Sequence, residues 1–373
     1  MRTIRILVTL LLICVSTSFA QTTSSPTVSF VYLGDRGHHA ITAYGLQANG
    51  SAHLVPGSPF SSAALSAPSS TPLAASTNFV FASDSQRIAT FRRSSNGALT
   101  FASVVDATVS GDSIETLTLD RSASSLYAGT RVKLQIFDKG AQGQLTPASE
   151  RSGDQSSGEL QFNHSNQFAY RTFQPLDNLP ELFSGNQQCT FEAYSRTADG
   201  GLNPFDPQLA RPTGVAESNF CPGSVASSAL GYLAVAYRTL DPDTKLGTGV
   251  HSIAVYWILP SGELSLVSNF VTNLDATLPV AMKFDPSGTF LAVAGTQGIQ
   301  LYKLSATGKL TKSGSSIYTH THFREVRWDH SNHIVTISFG SVYFFGVENG
   351  QLIQTSPPQF LGGIRDISIV SLQ

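Results

Sequence analysis

The sequence is poor in charge, in cysteine and in tryptophan. Charged residues make up only 13% of its 373 residues, and it holds three cysteines and two tryptophans. The 23 basic and 25 acidic residues nearly balance, so neither nucleic acid nor an anionic membrane is indicated as the main partner. Two tryptophans are too few to indicate an aromatic platform for sugars.

Several motifs of catalysis and cofactor binding are also absent. The sequence has no G-x-S-x-G elbow, no H-E-x-x-H, no P-loop and no G-x-G-x-x-G that opens a helix. We therefore predict no cofactor. Beyond the first twenty residues no segment resembles a membrane span, which needs roughly 20 apolar residues.

The N-terminus has the pattern of a signal peptide. Arg2 and Arg5 precede an apolar segment at residues 6–15, and Ser18 and Ala20 place small residues before a cleavage site. We predict a signal peptide over 1–20, a short linker over 21–27 and a single domain over 28–373. The mature protein is then secreted or periplasmic, and we expect it to be a monomer.

Two cysteines remain after removal of that segment, Cys189 and Cys221. In an oxidising compartment they predict one disulfide. A metal site is disfavoured, because two thiols are too few ligands and no C-x-x-C spacing occurs.

Short turns that close on glycine recur seven times along the chain. They are Asn49-Gly50, Asn96-Gly97, Gln142-Gly143, Asp199-Gly200, Ser261-Gly262, Thr307-Gly308 and Asn349-Gly350. A leucine follows two residues later in six of them, and four residues later in the first. A repeat of 40 to 50 residues made of short alternating strands is typical of a β-propeller.

The sixth copy shows the repeat most clearly. Residues 281–285 predict an inner strand, 290–294 form an uninterrupted apolar run, and 299–304 alternate with period two. The first copy lacks an inner strand, and the chain ends with a strand-like segment at 364–369 that has no following partner. We predict an all-β, seven-bladed β-propeller with four-stranded blades, in which the C-terminal strand pairs into the first blade and closes the ring.

These segments resemble a known family. Residues 31–37 (VYLGDRG), 41–44 (ITAY), 54–60 (LVPGSPF) and 284–291 (FDPSGTFL) are similar to lactonase-type seven-bladed propellers, which include 6-phosphogluconolactonase-like and carboxymuconate cyclase-like proteins and many secreted members. The resemblance covers nearly all of the mature chain and implies a propeller fold and lactone hydrolysis. Enzyme-like members carry Pro-Arg-His at an inner strand, where this chain has Phe323-Arg324-Glu325.

Alignment of the inner strands predicts which residues line the central channel. The positions equivalent to Ala281 are Asp366, Ser70, Thr116, Glu159, Gly223 and Glu325. Three carboxylates would then converge, with Arg324 and Arg365 beside two of them. Converging carboxylates bind a hard cation or shift each other's pKa; the alternative is a water-filled channel that tolerates polar residues.

A second group of candidates lies on the face where the chain enters the inner strands. Loops on that face carry Asp35, Arg36, His38 and His39 of blade 1 and His320 and His322 of blade 7. Four neighbouring histidines could ligate a transition metal or supply a general base. Because paired loop histidines are more often solvated, we predict no metal site here.

Two long insertions, at 171–188 and 237–251, enlarge the same face, which we call the loop-rich face. We expect a non-catalytic binding module of the cell envelope or extracellular space, with a protein, glycan or small-molecule partner at this face. The alternative is a lactone hydrolase in which Glu325 or Glu159 activates water and Arg324 stabilises the developing oxyanion.

Overall fold

The computed structural model describes residues 25–35, 40–61, 72–107, 113–130, 133–152, 158–173, 189–211, 216, 220–240, 247–268, 274 and 279–372. In these residues every regular element is a β-strand, and the strands form seven antiparallel sheets. The innermost strands of successive sheets contact one another around an axis. The predicted seven-bladed β-propeller is therefore confirmed.

Each blade runs outward from the axis. Blade 1 contains β1 (Thr27–Asp35), β2 (Ala40–Gln47), β3 (Ala52–Leu54) and β4 (Phe60–Ser61). Blade 2 contains β5 (Leu73–Ala75), β6 (Phe79–Ser83), β7 (Arg87–Arg93) and β8 (Leu99–Asp106), and blade 3 contains β9 (Thr116–Leu119), β10 (Ser125–Gly129), β11 (Lys133–Lys139) and β12 (Leu145–Ser152). Blade 4 contains β13 (Gln161–Phe162), β14 (Phe168–Phe173), β15 (Thr190–Arg196) and β16 (Leu202–Phe205).

The remaining blades follow the same order. Blade 5 contains β17 (Phe220–Ser227), β18 (Tyr232–Leu240), β19 (Gly247–Ile258) and β20 (Leu264–Ser268). Blade 6 contains β21 (Pro279–Phe284), β22 (Phe290–Gly295), β23 (Gly298–Leu304) and β24 (Leu310–Ile317). Blade 7 contains β25 (Glu325–Trp328), β26 (His333–Ser338), β27 (Ser341–Glu348) and β28 (Gln351–Phe360), and the last strand is β29 (Ile364–Ser371).

Both ends of the chain build blade 1. Strand β29 lies innermost and pairs antiparallel with β1, so that Ile369 faces Val31 and Ile367 faces Leu33. The predicted closure is thus confirmed. The outermost position of this blade is shared by β3 and β4, which both pair with β2, so its sheet has five strands rather than four.

Apolar side chains fill the spaces between neighbouring blades. Between blades 1 and 7, Tyr44 meets Phe344 edge to face, with the ring centroids 5.6 Å apart, and Val31 and Ile367 are buried beside them. Every blade buries an aromatic residue in the second half of its third strand: Tyr44, Phe91, Phe137, Tyr194, Tyr256, Tyr302 and Phe345. Burial on both faces explains the apolar runs of the sequence.

The repeating glycines adopt a conformation that other residues rarely take. All seven have φ between +75° and +87°, the left-handed region in which a Cβ is penalised. Their position also leaves no room for a side chain. At Gly97, for example, a Cβ would overlap the ring of Phe30 in the preceding blade. Tyr32 of that blade donates its hydroxyl hydrogen to the Gly97 carbonyl at 3.0 Å. The turn is therefore an inter-blade contact as well as a reversal of the chain.

The predicted disulfide joins Cys189, at the start of β15, to Cys221 in β17, with the two Cα atoms 5.2 Å apart. It links blades 4 and 5 at the loop-rich face.

The insertion predicted at 237–251 is in large part an extension of the hairpin β18–β19, in which Leu240 pairs with Gly247. Residues 174–188 and 241–246, and the predicted signal peptide, lie outside the described residues. In the described part of the chain, no helix has the length and apolarity needed to cross a bilayer.

Candidate functional site

Five charged side chains from four blades meet at the axis of the ring. They are Glu159, Lys283, Glu325, Arg327 and Asp366. Successive residues of a strand point to opposite faces, so Glu325 and Arg327, two apart on β25, point the same way. Every one of these residues lies on an innermost strand or directly before one. We call this group the axial cluster.

Arg327 lies at the centre of the axial cluster. Its Nη1 is 2.5 Å from Glu325 Oε1 and 3.0 Å from Glu159 Oε2. Because both oxygens contact one nitrogen, the two carboxylates lie within about 6 Å of each other, the range in which like charges shift each other's pKa. Arg327 Nη2 is 3.9 Å from Asp366 Oδ1, and Nε donates to the Ile367 carbonyl at 3.1 Å. One guanidinium therefore connects blades 1, 4 and 7.

Lys283 supplies the second positive charge. Its Nζ donates to Gln161 Oε1 at 3.0 Å and is 3.6 Å from Glu159 Oε1. The backbone carbonyl of Lys283 accepts a hydrogen bond from Trp328 Nε1 at 2.9 Å. Blade 6 is thereby tied to blades 4 and 7.

Asp366 connects the closing strand to blade 2. Its Oδ2 accepts a hydrogen bond from the Leu73 backbone N–H at 2.7 Å, and its Oδ1 accepts one from Ile367 N–H at 2.7 Å. The carboxyl group thus bridges β29 and β5 at the place where the ring closes.

The environment separates the three carboxyl groups by pKa. Burial, together with the negative charge of Glu325, raises the pKa of Asp366 to about 7. Burial also raises the pKa of Glu325, although the Arg327 charge opposes the rise. Burial acts on Glu159 in the same direction, but Arg327 and Lys283 outweigh it, and the pKa of Glu159 is lowered. Glu159 is thus the one carboxyl group of the three whose pKa is lowered.

The two cations respond differently to the same surroundings. Burial lowers the pKa of Lys283, even though the Glu159 charge acts against the decrease. The pKa of Arg327 is raised, because the surrounding carboxylates outweigh its burial. Arg327 therefore keeps the positive charge that an arginine side chain normally carries.

The structure brings together the three carboxylates predicted from the sequence, Glu159, Glu325 and Asp366. It places the predicted Arg324 elsewhere: this side chain is exposed, and its guanidinium lies over the ring of Phe339 with 5.1 Å between the guanidinium carbon and the centroid. The arginine in the axial cluster is Arg327. Side chains two residues apart on a strand point the same way. Counting two residues on from Glu325 would have identified Arg327, and counting two residues on from Ala281 would have identified Lys283.

Two of the four histidine candidates, His320 and His322, lie in the described residues. His320 is exposed, whereas His322 is half-buried with its ring edge-on to Phe339 at 5.7 Å. Burial and the Arg324 charge lower the pKa of His322. Asp35 is buried at the end of β1.

Three other candidates on that face, Arg36, His38 and His39, lie outside the described residues, as does Ser70. Among the residues that the structure describes, no group of three histidine, cysteine or acidic side chains has the geometry of a metal site.

A closed ring of seven blades with a charged cluster on its axis defines the chain as a seven-bladed β-propeller with a polar central channel. No family model and no curated protein matches the sequence. Its solved neighbours include two proteins that are named as lactonases. The chain superposes on a Bacteroides uniformis protein whose provisional assignment is 6-phosphogluconolactonase, with a TM-score of 0.66 and 12% identity over 92% of this chain and 100% of that one.

Two further neighbours show the same architecture. A Lactobacillus plantarum protein matches with a TM-score of 0.63 and 14% identity, covering 93% of this chain and 100% of that chain. The periplasmic gluconolactonase PpgL of Pseudomonas aeruginosa matches with a TM-score of 0.53 and 15% identity, covering 93% and 86% of the two chains. At these identities the likeness establishes the fold, and the fold implied by the sequence resemblance is confirmed.

Proposed function

We propose that this chain is an exported propeller that binds a small polyhydroxylated molecule, a sugar or a sugar lactone, at the channel mouth on the loop-rich face. The observation that carries this proposal is the convergence of Glu159, Glu325 and Asp366 where the chain enters the innermost strands. Carboxylate oxygens accept hydrogen bonds from hydroxyl groups, and a rigid ring presents them in fixed positions. One of the solved neighbours is named as a gluconolactonase.

Export is supported by two independent features. The N-terminal sequence has the pattern of a signal peptide, and the structure contains the Cys189–Cys221 disulfide, a bond that persists in oxidising compartments. We place the protein in the periplasm or outside the cell.

The bonding of Arg327 favours binding without turnover. Hydrolysis of a lactone requires a donor aimed at the developing oxyanion. Arg327 Nη1 is already shared by two carboxylates, and Nε is bonded to the Ile367 carbonyl. This arginine therefore acts as the centre of the axial cluster, and the carboxylate oxygens present hydrogen-bond acceptors to a ligand.

Titration calorimetry with gluconolactone, gluconate and neutral hexoses tests the proposal. We expect wild-type binding to weaken at least about tenfold in Glu325→Gln, which removes the charged acceptor but keeps the shape. Glu348→Gln, an exposed substitution in blade 7 at the end of β27, is the matched control and leaves the affinity unchanged. If none of these ligands gives a heat of binding, the polyol site is ruled out.

Lactone hydrolysis is the second candidate, and the titration of Asp366 favours it. A carboxyl group with a pKa of about 7 is matched to general-base catalysis near neutral pH. As a base, Asp366 acts only when ionised, so turnover would rise as the pH increases through about 7. A pH-stat assay on the same lactones decides between the candidates. Turnover by the wild type that is lost in Asp366→Asn would establish the hydrolase. If the wild type shows no turnover, only the binding function remains.

A further inference from the structure

A cavity lies on the other side of Arg327, away from the loop-rich face. Its volume is about 380 Å³, within the range of small-molecule sites. Glu159, Lys283 and Arg327 form the wall that it shares with the axial cluster, whereas Arg121 and His330 belong to turns that follow the innermost strands. Neither Glu325 nor Asp366 lines it. Arg327 and Glu159 thus divide the channel into two compartments.

The two compartments differ in charge. The mouth on the loop-rich face presents the carboxylates, whereas the cavity is lined by Arg121, Lys283 and Arg327 against Glu159 and Asp285. Asp285 is already engaged by its own turn, since its Oδ1 accepts a hydrogen bond from Phe290 N–H at 2.7 Å. The cavity therefore carries an excess of positive charge.

Lys283 has donor capacity left for a ligand. An ammonium group has three hydrogens, and Nζ directs them at Gln161 and Glu159, so one remains for the cavity. Burial and the charges of Arg327 and Arg121 act to lower the pKa of Lys283. An anion in the cavity would relieve this repulsion among the three cations.

A further polar atom in the wall lacks a partner. The hydroxyl oxygen of Ser227, at the end of β17, is buried and has no hydrogen bond among the described residues. The residue Ser227 belongs to the wall of the same cavity. Buried hydroxyl groups are normally hydrogen-bonded, so an orphaned one calls for an explanation such as a bound water or ion.

We propose that this cavity binds a small organic acid, whose carboxylate group accepts hydrogen bonds from Lys283 Nζ and the Arg121 guanidinium. The site is separate from the mouth on the loop-rich face and does not depend on the polyol-binding proposal. Charge-assisted bonds to a carboxylate are the strong class of hydrogen bond.

The experiment is titration calorimetry of the full chain at low chloride with malonate, citrate and gluconate, and with inorganic phosphate as a separate arm. We expect at least one organic acid to bind, and its Kd to increase at least about tenfold in Lys283→Met, which keeps the apolar stem but removes the charge. Arg121→Gln, at the rim, provides a second variant should Lys283→Met fail to fold, and we expect it to weaken binding several-fold. Lys309→Gln, an exposed substitution in blade 6, is the matched control.

Each outcome bears on the site. If no organic acid binds the wild type, or if both cavity variants bind as tightly as Lys309→Gln, the proposal is wrong. Binding of phosphate without any carboxylate would also overturn it. Glu325→Gln separates the two sites, since it should weaken sugar binding at the mouth at least about tenfold yet leave the affinity for the organic acid in place.

Discussion

At the scale of single residues, Arg327 determines how the axis of the ring is organised. It lies between three carboxyl groups and carries the only charge that contacts all of them in the described residues. Its side chain is 14% exposed, so channel water screens these interactions only in part. The stability of the axis should accordingly depend on this residue and on pH.

Replacement of Arg327 by methionine should destabilise the fold by about 3 kcal/mol at pH 8, because it leaves like charges facing one another without a partner. The loss should be smaller at pH 5, where Asp366, whose pKa is raised to about 7 in the folded protein, binds a proton and loses its share of the repulsion. Urea denaturation at the two pH values measures the effect. Arg324→Met is the control, since Arg324 is exposed over Phe339 and its loss should cost less than about 0.5 kcal/mol.

Asp366 should make stability fall as the pH rises from about 4 to about 7. Its pKa is about 7 in the folded protein and about 4 in an unfolded chain, so in that window the folded state holds a proton that the unfolded state has lost. Asp366→Asn removes this dependence, and one of the two hydrogen-bond acceptors with it. The variant should be clearly less stable than the wild type at pH 4.5 and close to it at pH 8. A gap that stays constant across this range would contradict the assignment.

The candidate site could be predicted only in part at this scale. Glu159, Glu325 and Asp366 were found by aligning the innermost strands, because their positions repeat with the blades. Arg327 and Lys283 were missed because the alignment considered one position in each strand, whereas the channel wall also includes the residue two steps further along. Which arginine faces the axis depends on strand register, and a shift of one residue exchanges the two faces.

At the scale of elements, the turn between the third and fourth strands is the recurring unit. Its glycine meets two requirements at once, a positive φ and a close approach to a side chain of the preceding blade, which is a phenylalanine ring at Gly97, Gly143 and Gly262. The sequence pattern predicted the turn, while the packing against the neighbouring blade became visible only in the structure.

Gly97→Ala should therefore cost about 2 kcal/mol or more, since it adds a clash with Phe30 to the penalty of a left-handed conformation, which is roughly 1–2 kcal/mol. Gly362→Ala is a matched control, because Gly362 has nearly the same φ, +86°, yet has no atom within 4 Å of an added Cβ. Chemical denaturation of both variants separates strain from overlap. Equal losses in the two would show that the contact with Phe30 contributes nothing.

At the scale of the whole molecule, the ring is closed by β29. This strand covers the inner edge of β1 and contributes Ile367 and Val370 to the buried interfaces. It also places Asp366 against blade 2. The last strand therefore completes both the fold and the axial cluster.

A chain that ends at Gly363 should lose its native state and aggregate, because removal of β29 exposes the paired edge of β1 and opens the interface between blades 7 and 1. Size-exclusion chromatography and near-UV circular dichroism measure this. A chain that lacks only residues 372–373 is the control and should remain folded. A folded monomer from the shorter chain would show that closure by the last strand is dispensable.

The sequence by itself determined the number of blades, their strand order, the closure by the C-terminal segment and the disulfide. The number of blades and their strand order depend on hairpins and turns whose residues are close in the chain, so local patterns encode them. Closure was predictable because the first and last blade segments each lacked a partner strand, and the disulfide because two cysteines remain after the predicted signal peptide. Only the tertiary structure decided which charged groups meet at the axis, and that they divide the channel into an acidic mouth and a basic cavity. The physical reason is that these residues come from four blades far apart in the sequence, and the register and closure of the ring alone bring them within bonding distance.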